Sequence, residues 1–275
     1  MIHIEDLKFC YGKRARLFDG LSLTMESGHI YGLLGRNGAG KTTLLKIMTG
    51  MLFPEKGTCR MMSFESRKRN PSMLCDVIFV PEEFYAPSVS IGCYADLYAP
   101  YYPKFDMTQF GVCLDEMQLH KSDHLHSLSL GQKKKAVLAF ALAAHTRVLI
   151  LDEPTNGLDI PSKTQFRRMV AATATDDRCI IISTHQVRDV DKLIDTVIIL
   201  DDSRIALHQG VGEIAAKLTF GAAFELTGNE VYYEEAISGY QVVKPCDDRT
   251  TPVNLELLFN AVMANKPAFE QMFHA

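Results

Sequence analysis

The sequence predicts an α/β fold whose core is a mostly parallel β-sheet with helices between its strands. A short apolar segment, 29–34, precedes a glycine-rich turn and a helix-prone segment, 41–49. Two further apolar strands are predicted at 148–151 and 179–183, separated by a polar helical stretch at about 162–174. Because strands buried on both faces appear as continuous apolar runs, this alternation indicates parallel strands.

Two further regions are predicted, one before this core in the chain and one inserted into it. Segments 2–9 and 21–25 alternate apolar and polar residues, and a polar turn through Gly12, Lys13 and Arg14 joins them, as in an antiparallel edge sheet. Residues from about 84 to 145 show helical spacing and no strong strand run. We therefore expect an N-terminal antiparallel β subdomain and an inserted helical subdomain.

The segment after Gly212 has a different pattern, with short alternating runs at 223–226 and 231–233 and a final helix from about Asn254. It carries no motif that indicates a role. We expect a main domain over residues 1–215 and an accessory region of unknown role over residues 216–275.

Composition excludes several classes of protein. The 275 residues include 29 basic and 33 acidic side chains, and the formal net charge of -4 predicts no general attraction to nucleic acid. The N-terminus lacks the pattern of an export signal, and no apolar run approaches the ~20 residues that span a bilayer. We expect a cytoplasmic protein, so that any membrane crossing belongs to another chain.

Residues 35–42, Gly-Arg-Asn-Gly-Ala-Gly-Lys-Thr, match the G-x-x-x-x-G-K-[ST] phosphate loop. The motif lies between a predicted strand and a predicted helix, which is the context that it requires. Glycines let backbone N–H groups point at phosphate oxygens, Lys41 adds a positive charge, and Thr42 can offer its hydroxyl to Mg²⁺. A glycine-rich turn with an exposed lysine would not explain this spacing.

Polar residues follow two of the apolar strands. The strand at 148–151 leads into Asp152 and Glu153, and the strand at 179–183 leads to His185. The first acid can hold Mg²⁺, the second can face an attacking water, and the histidine can donate a hydrogen bond to a phosphate. One acid alone would be equally typical of a solvated turn, but a pair beside a phosphate loop favours a nucleotide site.

Residues 128–132, Leu-Ser-Leu-Gly-Gln, resemble the L-S-G-G-Q signature of ABC ATPases. The resemblance covers about residues 1–215 and implies a P-loop NTPase core, with residues 35–43 as the Walker A loop and residues 157–159 as the D-loop. It implies that ATP with Mg²⁺ is bound by Tyr11, Gly35, Arg36, Asn37, Gly38, Ala39, Gly40, Lys41, Thr42, Thr43, Ser129, Gly131 and Gln132.

The resemblance also implies roles and partners. Glu153 would polarise the attacking water, Lys41 and His185 would stabilise charge on the phosphoryl group, and Thr42 and Asp152 would hold the metal. Ser129, Gly131 and Gln132 of one subunit would close on the ATP of a second ATPase subunit, a homodimer or sibling heterodimer. An integral membrane permease would hold the protein at the inner face of the cell membrane.

Two residues depart from the family pattern. Leu130 stands where the signature usually has glycine, and Glu82 stands where a glutamine is expected. We expect Ser129 and Gly131 to preserve the signature's function. We hypothesise that Glu82 serves the metal and catalysis and relays the nucleotide state to the helical subdomain.

Two further runs have ordinary explanations. Lys133, Lys134 and Lys135 are most simply a charged helix face. The aromatic residues from Tyr94 to Phe105 could receive a permease helix, although packing within a small subdomain explains them equally well.

The leading functional hypothesis is a transport ATPase. Segment 255–259 resembles the short C-terminal helix of many exporter subunits, which favours export. An alternative is a soluble ABC ATPase acting in iron–sulfur assembly, translation or DNA repair, although such relatives often carry duplicated domains, zinc cysteines or coiled coils. A nucleotide-binding regulator that barely hydrolyses ATP is a third possibility, against which Glu153 argues.

Overall fold

The computed structural model describes residues 1–12, 16–246 and 250–273. Its strands are β1 (Ile2–Phe9), β2 (Phe18–Met25), β3 (His29–Leu34), β4 (Lys56–Met61), β5 (Phe64–Glu65), β6 (Val77–Val80), β7 (Val148–Asp152), β8 (Cys179–Thr184), β9 (Thr196–Asp201), β10 (Arg204–Gly210), β11 (Leu218–Ala223), β12 (Tyr232–Ala236) and β13 (Gly239–Pro245). Its α-helices are α1 (Lys41–Met48), α2 (Pro71–Leu74), α3 (Ile91–Tyr98), α4 (Met107–Glu116), α5 (Leu130–Ala143), α6 (Ile160–Ala172), α7 (Val211–Lys217), α8 (Leu255–Ala264) and α9 (Lys266–Phe273).

A six-stranded sheet forms the centre of the molecule, in the order β10-β9-β3-β8-β7-β6. Its strands are parallel except for β10, which pairs antiparallel with β9. Every residue of β7, β8 and β9 is buried, and the apolar runs of β7 and β8 predicted two of these strands correctly. The register pairs Leu34 with Thr184 and Asp152 with Ser183, which brings the carboxyl ends of β3, β7 and β8 together.

The predicted N-terminal antiparallel sheet is confirmed. Its order is β2-β1-β4-β5, and Ile2 pairs with Met25 on one side and with Met61 on the other. The second strand begins at Phe18, three residues before the predicted start, and β4 and β5 extend the sheet. Lys13 and Arg14 of the predicted turn lie outside the described residues.

Helices α3, α4 and α5 follow β6 in the chain and precede β7, as expected of the inserted helical region. Each of the first two has a side-chain N-cap, because Ser90 Oγ accepts from Cys93 N and Asp106 Oδ1 accepts from Thr108 N. Phe110 on α4 and Phe140 on α5 are both buried, with ring centroids 6.2 Å apart. Aromatic packing therefore joins the two helices.

The C-terminal segment forms a small antiparallel sheet in the order β11-β13-β12, followed by α8 and α9. The predicted run at 223–226 is wrong, because β11 ends at Ala223, where its pairing with β13 ends. Asn254 caps the helix α8 that was predicted from about this position, and a second helix, α9, follows it.

Buried apolar side chains form two clusters on opposite faces of the central sheet. One joins α1 and the N-terminal sheet to strand residues such as Ile181. The other joins the helical region to strand residues such as Ile182, and it also includes Leu218, Val243 and Leu258 of the C-terminal segment. The accessory region and the helical region thus share one core cluster.

Candidate active site

The phosphate loop connects the end of β3 to the start of α1. Gly40 caps the helix with φ of 103°, and a Cβ at this position would lie 2.9 Å from Cζ of Phe18. No side chain accepts a hydrogen bond at this N-terminus among the described residues. The first amide groups of α1 are therefore available to an external acceptor, and such helix ends favour anions.

Lys41 is buried at the first position of α1, with 8% of its surface exposed. Its Nζ donates to the carbonyl oxygen of Gly35 at 2.8 Å and lies 4.0 Å from Oε1 of Glu153. Burial lowers the pKa of Lys41, and the carboxylates of Glu153 and Asp152 oppose that shift. The acids therefore help to keep the ammonium charged inside the site.

Asp152 is almost fully buried at the end of β7 and accepts two hydroxyl hydrogen bonds. Thr42 Oγ1 donates to Oδ2 at 2.7 Å, and Ser183 Oγ donates to Oδ1. Hydroxyl and carboxylate oxygens are the hard ligands that Mg²⁺ prefers. Thr42 and Asp152 therefore fit a magnesium site as donors.

Glu153 lies beside Asp152 in an unusual backbone conformation. Its φ is 46°, in the left-handed region that non-glycine residues rarely adopt. Nδ1 of His185 lies 2.8 Å from Glu153 Oε1, and the backbone N–H of His185 donates to Oε2 at 3.3 Å. Both oxygens of this carboxylate are therefore held by one residue that follows β8.

A pocket of about 410 Å³ lies above the phosphate loop. It is lined by Tyr11, Leu17, Arg36, Asn37, Gly38, Gly40, Lys41, Thr42, Thr43, Glu82 and Glu153. Tyr11 is 46% exposed, and its hydroxyl lies 3.0 Å from Oγ1 of Thr43. The structure thus places Tyr11, Glu82 and Glu153 around the loop, although their positions in the sequence are far apart.

A smaller cavity of about 200 Å³ lies next to this pocket. It is lined by Leu34, Gly35, Arg36, Asn37, Thr184, His185, Val187 and Phe259. Phe259 belongs to α8, so the C-terminal segment reaches the phosphate loop and the histidine. No motif in the sequence of this segment predicted that contact.

The signature residues lie outside the pocket of their own chain, at the exposed N-terminus of α5. Ser129 Oγ accepts from the backbone N–H of Gln132 at 3.3 Å, and Gln132 Oε1 accepts from that of Ser129 at 3.0 Å. This reciprocal pair is a capping box. A Cβ on Gly131 would lie 2.7 Å from the carbonyl oxygen of Gly157, so the start of α5 closely approaches the segment after β7.

Lys134 corrects the prediction of a charged helix face. Only 2% of its surface is exposed, and Nζ donates to the carbonyl oxygens of Glu153 at 2.8 Å and Asn156 at 3.1 Å. Lys134 lies four residues before Leu138 and eight before Leu142, both fully buried. This helical spacing was the signal for burial, and the run of three lysines concealed it.

Glu82 lies in the loop after β6, where its Oε1 accepts a hydrogen bond from Nδ2 of Asn156 at 2.8 Å. Asn156 in turn follows the acids of β7. The contact connects the loop that leads to the helical region with the segment beside Glu153.

A phosphate loop between a parallel strand and a helix, with two acids at the end of a nearby strand, is typical of P-loop nucleoside triphosphatases. The chain belongs to the ABC transporter family, whose model matches residues 18–156. It is an ATP-binding ATPase of that family. Among the described residues, the helices are too short or too polar to span a lipid bilayer.

Several known proteins are similar to this chain. The ABC transporter ATP-binding protein YtrB of Bacillus subtilis is 29% identical over 272 residues, which cover 90% of this chain and 92% of YtrB. The bacitracin transport ATP-binding protein BcrA of Bacillus licheniformis is 30% identical over 219 residues, covering 74% of this chain and 68% of BcrA. A dimeric structure of the ATP-binding cassette MJ0796 bound to ADP and Pi matches with a TM-score of 0.67 at 18% identity, covering 76% of this chain and 98% of that one.

Proposed function

We propose that this chain binds ATP with Mg²⁺ between two ATPase subunits and hydrolyses it to drive export through a separate membrane permease. One observation carries the proposal: the carboxylate of Glu153, held by His185, faces the pocket beside Lys41 and the phosphate loop. In our proposal, this carboxylate is the base and Lys41 the cation beside the terminal phosphate of ATP.

Each residue of the site has its own role in hydrolysis. The amides of the loop and Lys41 hold the phosphates, while Tyr11 stacks on the adenine. Glu153 orients the attacking water and accepts its proton as the bond to ADP breaks, and His185 donates a hydrogen bond to the phosphoryl group. Thr42, Asp152 and Glu82 hold Mg²⁺, which when bound offsets negative charge on the phosphates.

A second subunit completes the site. Ser129, Gly131 and Gln132 lie outside the pocket of their own chain, at a helix N-terminus that is exposed to solvent. Such a terminus favours an anion, so the γ-phosphate bound by another copy is its ligand in our proposal. Intact sets of both half-sites in one chain are compatible with a homodimer.

The permease docks on a groove of about 700 Å³ beside the edge strand β6. The groove is lined by Thr49, Met51, Arg69, Pro71, Ser72, Leu74, Cys75, Val77, Phe79, Pro100, Tyr101, Tyr102 and Pro103. Met51 and Tyr101 are 52% and 69% exposed, which suits the insertion of an apolar helix face. The protein then sits at the cytoplasmic face of the membrane, and the similarity to a bacitracin transport protein supports a role in transport.

Two substitutions test this proposal. Glu153→Gln removes the base but keeps the shape of the side chain, so ATP should bind without being hydrolysed. The ATP-bound dimer should then persist, and size-exclusion chromatography detects it. Lys41→Ala should abolish nucleotide binding, whereas Lys46→Ala, on the same helix but outside the pocket, should leave it unchanged. A monomer in ATP for both the wild type and Glu153→Gln would overturn the interfacial site.

A further inference from the structure

Lys134 connects two parts of the molecule that serve different ATP molecules in the proposed dimer. It lies two residues after Gln132 on α5, the helix whose N-terminus faces the partner's nucleotide. Its Nζ donates to the carbonyl oxygen of Glu153, whose carboxylate faces the nucleotide of its own chain. A single buried side chain therefore joins the two half-sites of one subunit.

The backbone at Glu153 needs external support. Its φ of 46° is a strained conformation for a residue with a side chain, so the surrounding structure must hold it. The backbone N–H of Glu153 is held by the carbonyl oxygen of Ser183 at 3.0 Å, and its carbonyl oxygen is held by Lys134 at 2.8 Å. The second bond of Lys134, to the carbonyl oxygen of Asn156 at 3.1 Å, ties down the turn that follows.

Local charge keeps this lysine in place. Burial lowers the pKa of Lys134, while the carboxylates of Glu82, Glu153 and Asp152 oppose that shift. A charged ammonium makes stronger hydrogen bonds to carbonyl oxygens than a neutral donor does. Lys133 and Lys135, in contrast, are only partly buried.

We propose that Lys134 is a positioning residue that holds Glu153 in its left-handed conformation and couples the signature helix to the catalytic glutamate of the same chain. This inference rests on the proposed function. When the N-terminus of α5 docks on the partner's ATP, Lys134 carries the displacement of that helix to Glu153. Docking of α5 on the partner's ATP thereby positions Glu153 at the nucleotide of its own chain.

Lys134→Met tests the proposal because methionine fills a similar volume and cannot donate a hydrogen bond. We expect kcat for ATP to fall about 100-fold, since small displacements of a catalytic group cost this much. Nucleotide affinity should not change. Lys134→Gln can still donate to one carbonyl and should give an intermediate rate, and Lys133→Met is the matched control with wild-type turnover.

The state of the dimer separates positioning from damage to the signature helix. If Lys134 positions Glu153, Lys134→Met should trap an ATP-bound dimer as Glu153→Gln does. If its effect were damage to α5, the variant would stay monomeric in ATP, and the proposal would be wrong. Should Lys134→Met fail to fold in a thermal melt, Lys134→Gln takes its place in each measurement.

Mixed dimers identify which site depends on Lys134. Two differently tagged subunits are purified as a pair in which one carries Glu153→Gln, so the other supplies the only intact glutamate. Lys134→Met on the subunit with the intact glutamate should abolish most of the remaining turnover, whereas the same change on the Glu153→Gln subunit should preserve it. Equal loss in the two arrangements would overturn the proposal.

Failure of the proposed function gives a different result. If Glu153→Gln itself remains monomeric in ATP, the interfacial site is wrong, whatever Lys134 does. Turnover then decides the positioning role, because loss of kcat at unchanged nucleotide affinity supports it and wild-type turnover of Lys134→Met refutes it.

Discussion

At the scale of single residues, charge balance dominates the site. The ammonium groups of Lys41 and Lys134 are both buried, and both experience the carboxylates of Glu153, Asp152 and Glu82. Buried charges are tolerated only when they are paired and hydrogen-bonded. The triphosphate of ATP would add further negative charge to the site. Each carboxylate near the loop therefore affects the Mg²⁺ concentration that activity requires.

Glu82 provides the prediction at this scale. Glu82→Gln keeps an acceptor for Asn156 Nδ2 and removes one negative charge, so half-maximal activity should require more Mg²⁺. Glu82→Ala also loses the hydrogen bond, and turnover should fall about ten-fold. Steady-state ATPase rates across a Mg²⁺ titration measure both effects. Glu83→Gln, at the neighbouring exposed position, is the control, and indifference of the enzyme to both Glu82 changes would remove this residue from the mechanism.

At the scale of elements, α8 supports the segment that carries His185. Phe259 lines the small cavity behind the phosphate loop, and Glu256 accepts a hydrogen bond from Arg188, three residues after the histidine. Leu257 and Leu258 are buried in the core cluster, which fixes the helix in place. The C-terminal segment therefore contacts the part of the active site that carries His185.

Phe259→Ala should therefore lower ATPase activity as well as stability. Removing the ring enlarges the cavity beside His185, which should loosen the residue that holds Glu153. Met263→Ala is the control, because Met263 packs one turn later against the same core cluster but does not line this cavity. Thermal unfolding and turnover are measured for both variants. Equal losses of turnover would mean that only the general stability of α8 matters.

At the scale of the whole molecule, the accessory region shares its core with the ATPase. Leu218, Val243, Leu258 and Val262 are buried in the same cluster as Ile180 and Ile182 of the central sheet. Burial of each such side chain contributes about 1.5–3 kcal/mol, against a total stability of ~5–15 kcal/mol for a typical protein. We therefore expect this region to fold together with the ATPase domain.

Deletion of residues 216–275 should therefore prevent cooperative folding of the remaining chain. A chain that ends at residue 265 lacks α9, which buries only Phe269, so it should still unfold cooperatively but at a lower temperature. Thermal unfolding and limited proteolysis of the two truncations check this order. An unchanged unfolding midpoint in the longer deletion would show that residues 1–215 fold by themselves.

Local patterns determined which parts of the fold were predictable. The apolar runs of β3, β7 and β8 and the alternation of β1 are set by burial on two faces or one, so they are visible in a short window. β6 has only four residues, a run too short to distinguish a strand from another buried segment. β9 has six buried residues, as many as β8, and its apolar run was overlooked. The run at 223–226 was misplaced because the end of β11 depends on its pairing with β13.

By itself the sequence determined the phosphate loop, the paired acids and the family, because each depends on residue types at fixed spacing along the chain. Only the tertiary structure showed that Lys134 donates to the carbonyl oxygen of Glu153, that Glu82 contacts Asn156, and that Phe259 lines a cavity with His185. These contacts join residues 19, 74 and 74 positions apart. No local pattern encodes them, since packing of whole elements brings such residues together.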